Sequence, residues 1–348
     1  MVVKSQIVRY RIQASSRPVM KKIKIAQLGL GPIGIETLRL AATRPWAEIA
    51  GGIDIDPQKV GRSLAELTGL SALESSRVYP SFDQLPAQPD VVLHTAVSRF
   101  QKAFPQIEPL TRAGVNVVSS CEELLFPQLK EPALAAELDA CCRRHNARVL
   151  GTGVNPGFVM DVLPVCLTGV CRSIDSIEIE RVVDASKRRL PLQQKIGSGL
   201  PPEEFRQLFR EGKMGHVGLV ESLALIAHAL GWHLGKISET CEPMLAGCDI
   251  HTQFLTVKKG FTCGIHHRVE AGTESGKRLA LNLKMYLDAE NPRDSIKITG
   301  DPPIEAVLPG GIHGDRATVA ALVNIVPRVL EAAPGLLLIT DLTLPRLS

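Results

Sequence analysis

Aromatic residues are scarce in this sequence. Tryptophan, tyrosine and phenylalanine make up 4% of 348 residues, with two Trp, three Tyr and nine Phe. So few flat side chains leave little surface for stacking single-stranded bases. Neither sign of charge dominates: 40 Lys and Arg stand against 36 Asp and Glu, a net charge of +4. That excess is too small for a phosphate-backbone footprint, which argues against nucleic acid as a partner. No uninterrupted apolar run of about 18 residues occurs, so no membrane partner is expected. Cys-x-x-Cys is absent too. The eight cysteines, at 121, 141, 142, 166, 171, 241, 248 and 263, are expected to be reduced thiols of a cytoplasmic protein.

Hydrophobic residues are 45% and charged residues 22%, both near the globular average. At roughly 100–200 residues per domain, the length suggests two domains, large enough to fold without a disulfide or metal staple. Residues 1–20 carry Lys4, Arg9, Arg11 and Arg17 and no acid. They are expected to form a disordered extension on which function does not depend. A transit peptide has the same Arg-rich, acid-poor composition.

Beyond this segment the pattern is first α/β. Ile23 to Leu28, Ile49 to Asp54, Asp90 to Thr95, Val115 to Ser119 and Arg148 to Thr152 read as buried strands. Helical periodicity separates them, through Leu38 and Leu40 and over Pro57 to Thr68, Phe104 to Ala113 and Pro132 to Asn146. Such alternation predicts a Rossmann-type, doubly wound parallel sheet. The pattern changes near Gly157. Ile174 to Val183 reads as a strand with one buried face, followed by helical stretches Glu203 to Glu211 and Val220 to Leu230. Strand-like runs follow at Asp249 to Lys258, Cys263 to Ala271, Leu279 to Asp288 and Ser295 to Thr299, with turn signals at Lys259-Gly260 and Thr273 to Lys277. This predicts an α+β second domain with a mostly antiparallel sheet. The expected division is 21–157, 158–312 and 313–348, the last containing a helix over Asp315 to Glu331 that returns to the first domain.

Gly29-x-Gly31-x-x-Gly34 follows a strand and opens a helix. The first glycine permits the tight turn, the second lets backbone approach a pyrophosphate, and the third lets helix and strand pack closely. Pro32 and Ile33 complete the loop, and the helix N-terminus offers N–H groups to phosphate. Asp54 lies 20 residues beyond Gly34 (54 − 34), at the end of the second strand, where a carboxylate can bond the ribose hydroxyls. The motif therefore points to a dinucleotide, NADP or NAD. Asp54 disfavours a 2′-phosphate, whereas Lys59 and Arg62 could receive one; both residues are also ordinary on a helix surface.

His94-Thr95-Ala96 and Ser119-Ser120-Cys121-Glu122-Glu123 end two further strands on the same carboxyl edge. Adjacent carboxylates beside a cofactor suit proton transfer. The same Ser-x-x-Glu spacing reads equally as a helix cap. Gly153-Val154-Asn155-Pro156-Gly157-Phe158 sits at the domain junction, where glycines permit close approach of a ligand and Asn155 can both donate and accept. Cys263, His266 and His267 lie close in sequence, but adjacent strand residues point to opposite faces, so no metal site is expected. His267 or His266 could line a substrate pocket. His216 and His313 each lie in glycine-flanked loops.

Together, the blocks Gly29 to Gly34, Asp54 to Gly61, Ser119 to Leu124, Gly153 to Phe158, Arg181 to Arg189 and Gly314 to Thr318 resemble the 2,4-diaminopentanoate dehydrogenase and native amine dehydrogenase family, a relative of dihydrodipicolinate reductase. The resemblance spans roughly residues 20–345. It implies a homodimer that binds NAD(P) and interconverts a primary amine with a ketone plus ammonia. It also implies a proton-transferring glutamate in the block holding Glu122 and Glu123; Glu123 is favoured, with Glu122 as a cap or a supporting group. Ser119, Cys121, His94, Thr95, Ala96 and Asn155 are expected around the cofactor. Asn155, Phe158, Lys187, Arg188 and His267 are expected around the substrate, with Lys187, Arg188 and Arg189 suited to a carboxylate. The His-His pair of dihydrodipicolinate reductases is missing from Asp184 to Arg189, which favours the amine reading over reduction of another C=N substrate. A non-catalytic NAD(P)-binding regulator is the remaining alternative.

Overall fold

The computed structural model describes residues 22–343 together with 346 and 347. The extension at 1–20 lies outside the described residues. In chain order the elements are β1 (Ile23–Leu28), α1 (Pro32–Ala41), β2 (Ala47–Ile53), α2 (Leu64–Thr68), β3 (Val78–Tyr79), β4 (Val91–His94), α3 (Phe100–Arg112), β5 (Asn116–Ser119), α4 (Pro132–Arg144) and β6 (Arg148–Gly151). Then come α5 (Val162–Thr168), β7 (Ser173–Asp184), α6 (Leu190–Lys195), α7 (Pro202–Arg210), α8 (Leu219–Ala229), β8 (Ser238–Leu245), β9 (Ile250–His251) and β10 (Thr256–Val257). The chain closes with β11 (Thr262–Gly272), β12 (Arg278–Tyr286), β13 (Arg293–Asp301), β14 (Ile304–Pro309), α9 (Gly314–Glu331) and β15 (Gly335–Leu337).

Short β-branched runs with both faces covered build the first sheet. Every pairing in it is parallel, in the order β15-β6-β5-β4-β1-β2-β3. Val91, Val92, Leu93, Val117, Val118, Val149 and Leu150 are fully buried, as expected of a parallel sheet between helical layers. The order reverses between β1 and β4, so their carboxyl ends diverge into a crevice. The second sheet runs β14-β13-β7-β12-β11-β8. Four of its five pairings are antiparallel and one, β7 with β12, is parallel. Its inner face holds Ile177, Ile179, Ile265, Leu281, Leu283 and Ile296 around Phe205 and Leu223. The amphipathic α9 packs Leu322, Val323 and Val326 into the core of the first sheet, against Ile25 and Leu93.

Several elements differ from the sequence pattern. The helix expected over Pro57 to Thr68 begins only at Leu64. Gly61 takes a left-handed φ of +84°, and Ser63 caps the helix in a reciprocal box with Glu66, so residues 57–62 form a loop. Helix α3 starts at Phe100, four residues before the expected Phe104, and tolerates Pro105 and Pro109. Asp249 to Lys258 does not pair with β11; it folds into the two-residue strands β9 and β10. The neighbour of β11 is β8, whose polar and proline-containing SETCEPML sequence gives a weak apolar alternation. No helix among the described residues is long and apolar enough to cross a membrane.

Candidate active site

The glycine loop explains itself by its packing. Gly29 has φ +87°, and a Cβ there would lie 3.0 Å from the backbone of Thr95 and Ala96. A Cβ on Gly34 would lie 1.9 Å from the Gly29 carbonyl oxygen. These two glycines are required by the protein itself. Gly31 is different: a Cβ there would meet nothing within 4 Å, and its φ of −71° suits any residue. Open space above Gly31, next to the unpaired N–H groups of the first turn of α1, is a cradle shaped for an anionic group such as a pyrophosphate. Asp54 is fixed beside it. The Leu30 N–H donates to Asp54 Oδ2 at 2.7 Å, the Asp56 N–H to Oδ1 at 2.9 Å, and Lys59 Nζ lies 3.2 Å from Oδ2. Burial raises the Asp54 carboxyl, but these donors outweigh it and hold it below its usual range. Ile55, next in sequence to this carboxylate, is an apolar side chain left 89% exposed. The residues present thus fit a dinucleotide.

A cleft of about 290 Å³ opens where the first sheet's carboxyl edge faces the second sheet, near the lower end for small-molecule sites. One wall is loop backbone and small side chains: Ile33, Thr95, Ala96, Ser98, Ser120 and Thr152 to Pro156. The other wall carries Arg181, Arg188, Leu192, Lys195 and His216, with Asp315 and Thr318 of α9 at the rim. Arg181 is buried and donates to Asp294 and to the Ile312 carbonyl, both at 2.6 Å. Arg188 donates to Asp315 at 2.8 Å.

The two adjacent glutamates part company. The Glu122 side chain lines the cleft, 3.9 Å from Lys195 Nζ. Its neighbour turns away. Glu123 Oε1 accepts from Arg99 at 2.7 Å and Oε2 from the Phe100 N–H at 2.8 Å, and Lys130 Nζ stands 3.5 Å away. Burial raises the Glu123 carboxyl, and Arg99, the Phe100 N–H and Lys130 more than offset that and pull it below its ordinary value. Lys130 in turn pairs with the buried Glu221 of α8 at 2.7 Å. Glu123 is thereby built into an ion network that ties the first sheet to α8.

The Asn155 loop is held from beneath. Asp161, fully buried, accepts from the Gly157 N–H at 2.8 Å, the Val162 N–H at 2.6 Å and Ser222 Oγ at 2.7 Å. Asn155 Nδ2 lies 3.3 Å from His216 Nε2, and the His216 backbone N–H donates to His267 Nδ1 at 3.2 Å. His267 Nε2 completes the chain on Glu239 Oε1 at 2.9 Å. Burial, with Lys195, His267 and Arg181 nearby, pushes the His216 imidazole down to about 3. His216 is therefore a neutral group in the cleft wall.

The family model of the 2,4-diaminopentanoate dehydrogenase C-terminal domain matches residues 158–347. A 2,4-diaminopentanoate dehydrogenase from Acetoanaerobium sticklandii is 31% identical over 336 residues, covering 94% of this chain and 95% of that protein. The chain belongs to the 2,4-diaminopentanoate dehydrogenase family. An amine dehydrogenase from Streptomyces virginiae is 24% identical over 88% of this chain and 92% of its own. The solved amine dehydrogenase of Mycobacterium smegmatis superposes with a TM-score of 0.84 at 23% identity, covering 95% of this chain and 98% of that one.

Within this family fold, the residues singled out from sequence divide into three groups. Ile33, Thr95, Ala96, Glu122, Asn155 and Arg188 come together in the cleft. Asp54 and Lys59 gather beside the glycine loop. The rest lie elsewhere. His94 is fully buried between Ser119 Oγ and Gln106 Oε1, at 2.7 and 2.9 Å. Ser119 also accepts from the Cys121 N–H, and burial pushes the Cys121 thiol up to about 12; these three side chains face the helical layers rather than the crevice. Phe158 packs into the core between the two sheets, Lys187 is exposed outside the cleft, and His267 stands one layer behind His216. Arg62 is paired with Glu66 at 2.9 Å. The cleft also includes Arg181, Lys195, Asp315 and Thr318, to which the sequence assigned no role; Asp315 and Thr318 stood in the Gly314–Thr318 block, and Lys195 in none. Arg181 stood in the Arg181–Arg189 block, where its place on an inward-facing strand position was the available signal.

Proposed function

We propose that this chain is an NAD(P)-dependent amine dehydrogenase, oxidising a primary amine and water to a ketone, ammonia and a proton, and running in reverse as a reductive aminase. The observation that carries the reading is Glu122, whose carboxylate lines the cleft into which the glycine-loop edge of the first sheet opens. Names of the family relatives support the same chemistry. The Gly29–Gly34 loop, Asp54, Thr95 and Ala96 would hold the dinucleotide. When bound, its nicotinamide supplies the hydride acceptor in deamination and the hydride donor in amination.

The protein's own groups do the rest. Loss of hydride from the C–N carbon leaves a positively charged iminium on the substrate. Glu122 stabilises that cation and accepts a proton as water oxygen bonds to the carbon; it then returns the proton to nitrogen, and as the C–N bond breaks the hydroxyl gives up its proton, so that the ketone, ammonia and one proton leave. Glu122 takes this role instead of Glu123, whose lone pairs are committed to Arg99, Phe100 and Lys130. Asn155, steadied by His216, orients the substrate. Arg188, with Arg181 and Lys195 behind and beside it, gives the opposite wall a positive face suited to the carboxylate of an amino-acid substrate such as 2,4-diaminopentanoate. The reading includes a cytoplasmic homodimer organised as 21–157, 158–312 and 313–348.

The test is ammonia-dependent NADH and NADPH oxidation with a panel of ketones and 2-amino-4-oxopentanoate, using wild type, Glu122→Gln and Glu123→Gln. Loss of a positioned acid–base group lowers turnover about 10²–10⁴-fold. Glu122→Gln should show that loss with cofactor affinity retained, whereas Glu123→Gln should keep most of its turnover. Full turnover in Glu122→Gln would defeat the assignment.

A further inference from the structure

Resting on the reading of the second wall as a carboxylate site, we propose that Asp315 determines specificity there. It occupies one edge of Arg188 as a substrate carboxylate would, and yields that arginine to a carboxylate-bearing ligand by shifting onto Arg189. A guanidinium has five N–H donors. Asp315 Oδ1 accepts from Arg188 Nη2 at 2.8 Å. Arg188 Nε is buried and has no acceptor among the described residues. A buried donor of a charged group left without an acceptor carries a desolvation penalty, which an incoming anion relieves. Arg188, Gly314 and Asp315 all line the cleft.

The first turn of α9 makes the exchange possible. A Cβ on Gly314 would lie 2.9 Å from Arg188 Nη1 and 3.0 Å from Nη2. The guanidinium therefore rests on bare backbone, a contact that does not depend on Asp315. Asp315 also has a second partner, one that does not line the cleft: Arg189 Nε lies 3.4 Å from Oδ2, and Arg189 Nη2 3.5 Å from Oδ1. Both distances are long. They can shorten as Arg188 is released, so the Asp315 charge stays compensated. Arg181 offers no such exchange. It is buried and donates to Asp294 and the Ile312 carbonyl at 2.6 Å, and Asp294 Oδ2 also accepts the Ile312 N–H at 2.7 Å. A ligand without a carboxylate gains nothing from opening the Arg188–Asp315 pair and binds beside it closed. Discrimination is then the difference between the two cases.

The test uses 4-oxopentanoate and 2-pentanone, five-carbon ketones that differ in a terminal carboxylate. Each is titrated calorimetrically into the full chain saturated with NADH, and KM and kcat from ammonia-dependent NADH oxidation give a second readout. Wild type should prefer 4-oxopentanoate. Asp315→Asn should raise that preference about fivefold or more, and Arg189→Gln, which removes the second partner, should lower it about threefold, both through KM rather than kcat. In an Arg188→Gln background, Asp315→Asn should no longer move it. A preference unmoved or lowered in folded Asp315→Asn, or an Arg189→Gln effect equal for the two ketones, overturns the exchange. Wild type that binds neither ketone, or shows no preference between them, overturns the carboxylate reading of the wall and the role of Asp315 with it.

Discussion

The cleft has two unlike walls. The first-sheet wall is mostly main chain: glycine turns, Thr95-Ala96, and the Thr152–Pro156 loop, shaped by backbone hydrogen bonds and by contacts that leave no room for a Cβ. The second-sheet wall is mostly charged side chains, Arg181, Arg188 and Lys195, each held by a partner distant in sequence. A main-chain wall is rigid and recognises what all members of a cofactor class share. A side-chain wall can change by substitution without disturbing the fold, and suits the part of a ligand that differs between substrates.

The largest blow to the first wall should come from Asp161. Replacing it by Ala strands the Gly157 and Val162 N–H groups and the Ser222 hydroxyl in a buried site. Each such loss is worth about 1–3 kcal/mol, so denaturant titration should show a deficit of at least about 3 kcal/mol. Next come the glycines, which sharpen the contrast within that wall. Gly34→Ala forces a Cβ against the Gly29 carbonyl and should lower stability by about 1–3 kcal/mol, as overpacking does. Gly31→Ala should unfold within about 0.5 kcal/mol of wild type and still bind NADH at least tenfold more weakly, as calorimetry would show. Equal stability losses in both variants would dissolve the distinction.

The second wall should respond in substrate preference. Arg188→Gln is expected to raise KM for a carboxylate-bearing amine about tenfold, a charged hydrogen bond being worth about 1.5–3 kcal/mol, with a much smaller change for a simple amine. A parallel rise for both would place the carboxylate elsewhere. The smallest effect concerns the corner joining the walls. Because the folded-state pKa of Glu123 lies below its ordinary 4.5, its ion network stabilises the fold above that pH. The contribution is lost as pH falls through the depressed value. Acid titration of stability should therefore be shallower in Glu123→Gln than in wild type.

The same division explains what the sequence could reveal. Five strands of the parallel sheet were legible because short apolar runs and glycine turns are local signals, and the Gly29–Gly34 loop with Asp54 carried its own spacing; the edge strands β3 and β15, two and three residues long, carry no such pattern. The second sheet was legible where alternation is strong, in β7, β11 and β12, and opaque in β8, whose charged residues and proline hide it beside β11. Glu122 and Glu123 could not be separated from sequence, because the difference is made by Arg99, Phe100 and Lys130, reached only through the fold. His94, Ser119 and Cys121 sit at the correct sheet edge, yet their side chains point into the helical layers. A strand end fixes depth along the sheet, not the face on which each side chain emerges. Lys195 lies outside every block singled out from the sequence, and Asp315, though inside the Gly314–Thr318 block, meets Arg188 only through the fold.

The buried Asp161 has one more consequence. By finishing the Asn155 turn during folding, it removes chain ordering from the moment of capture: an amine meets a surface already formed. The heat capacity change on binding should then reflect only the apolar area hidden in the cleft, without the large negative contribution of coupled folding.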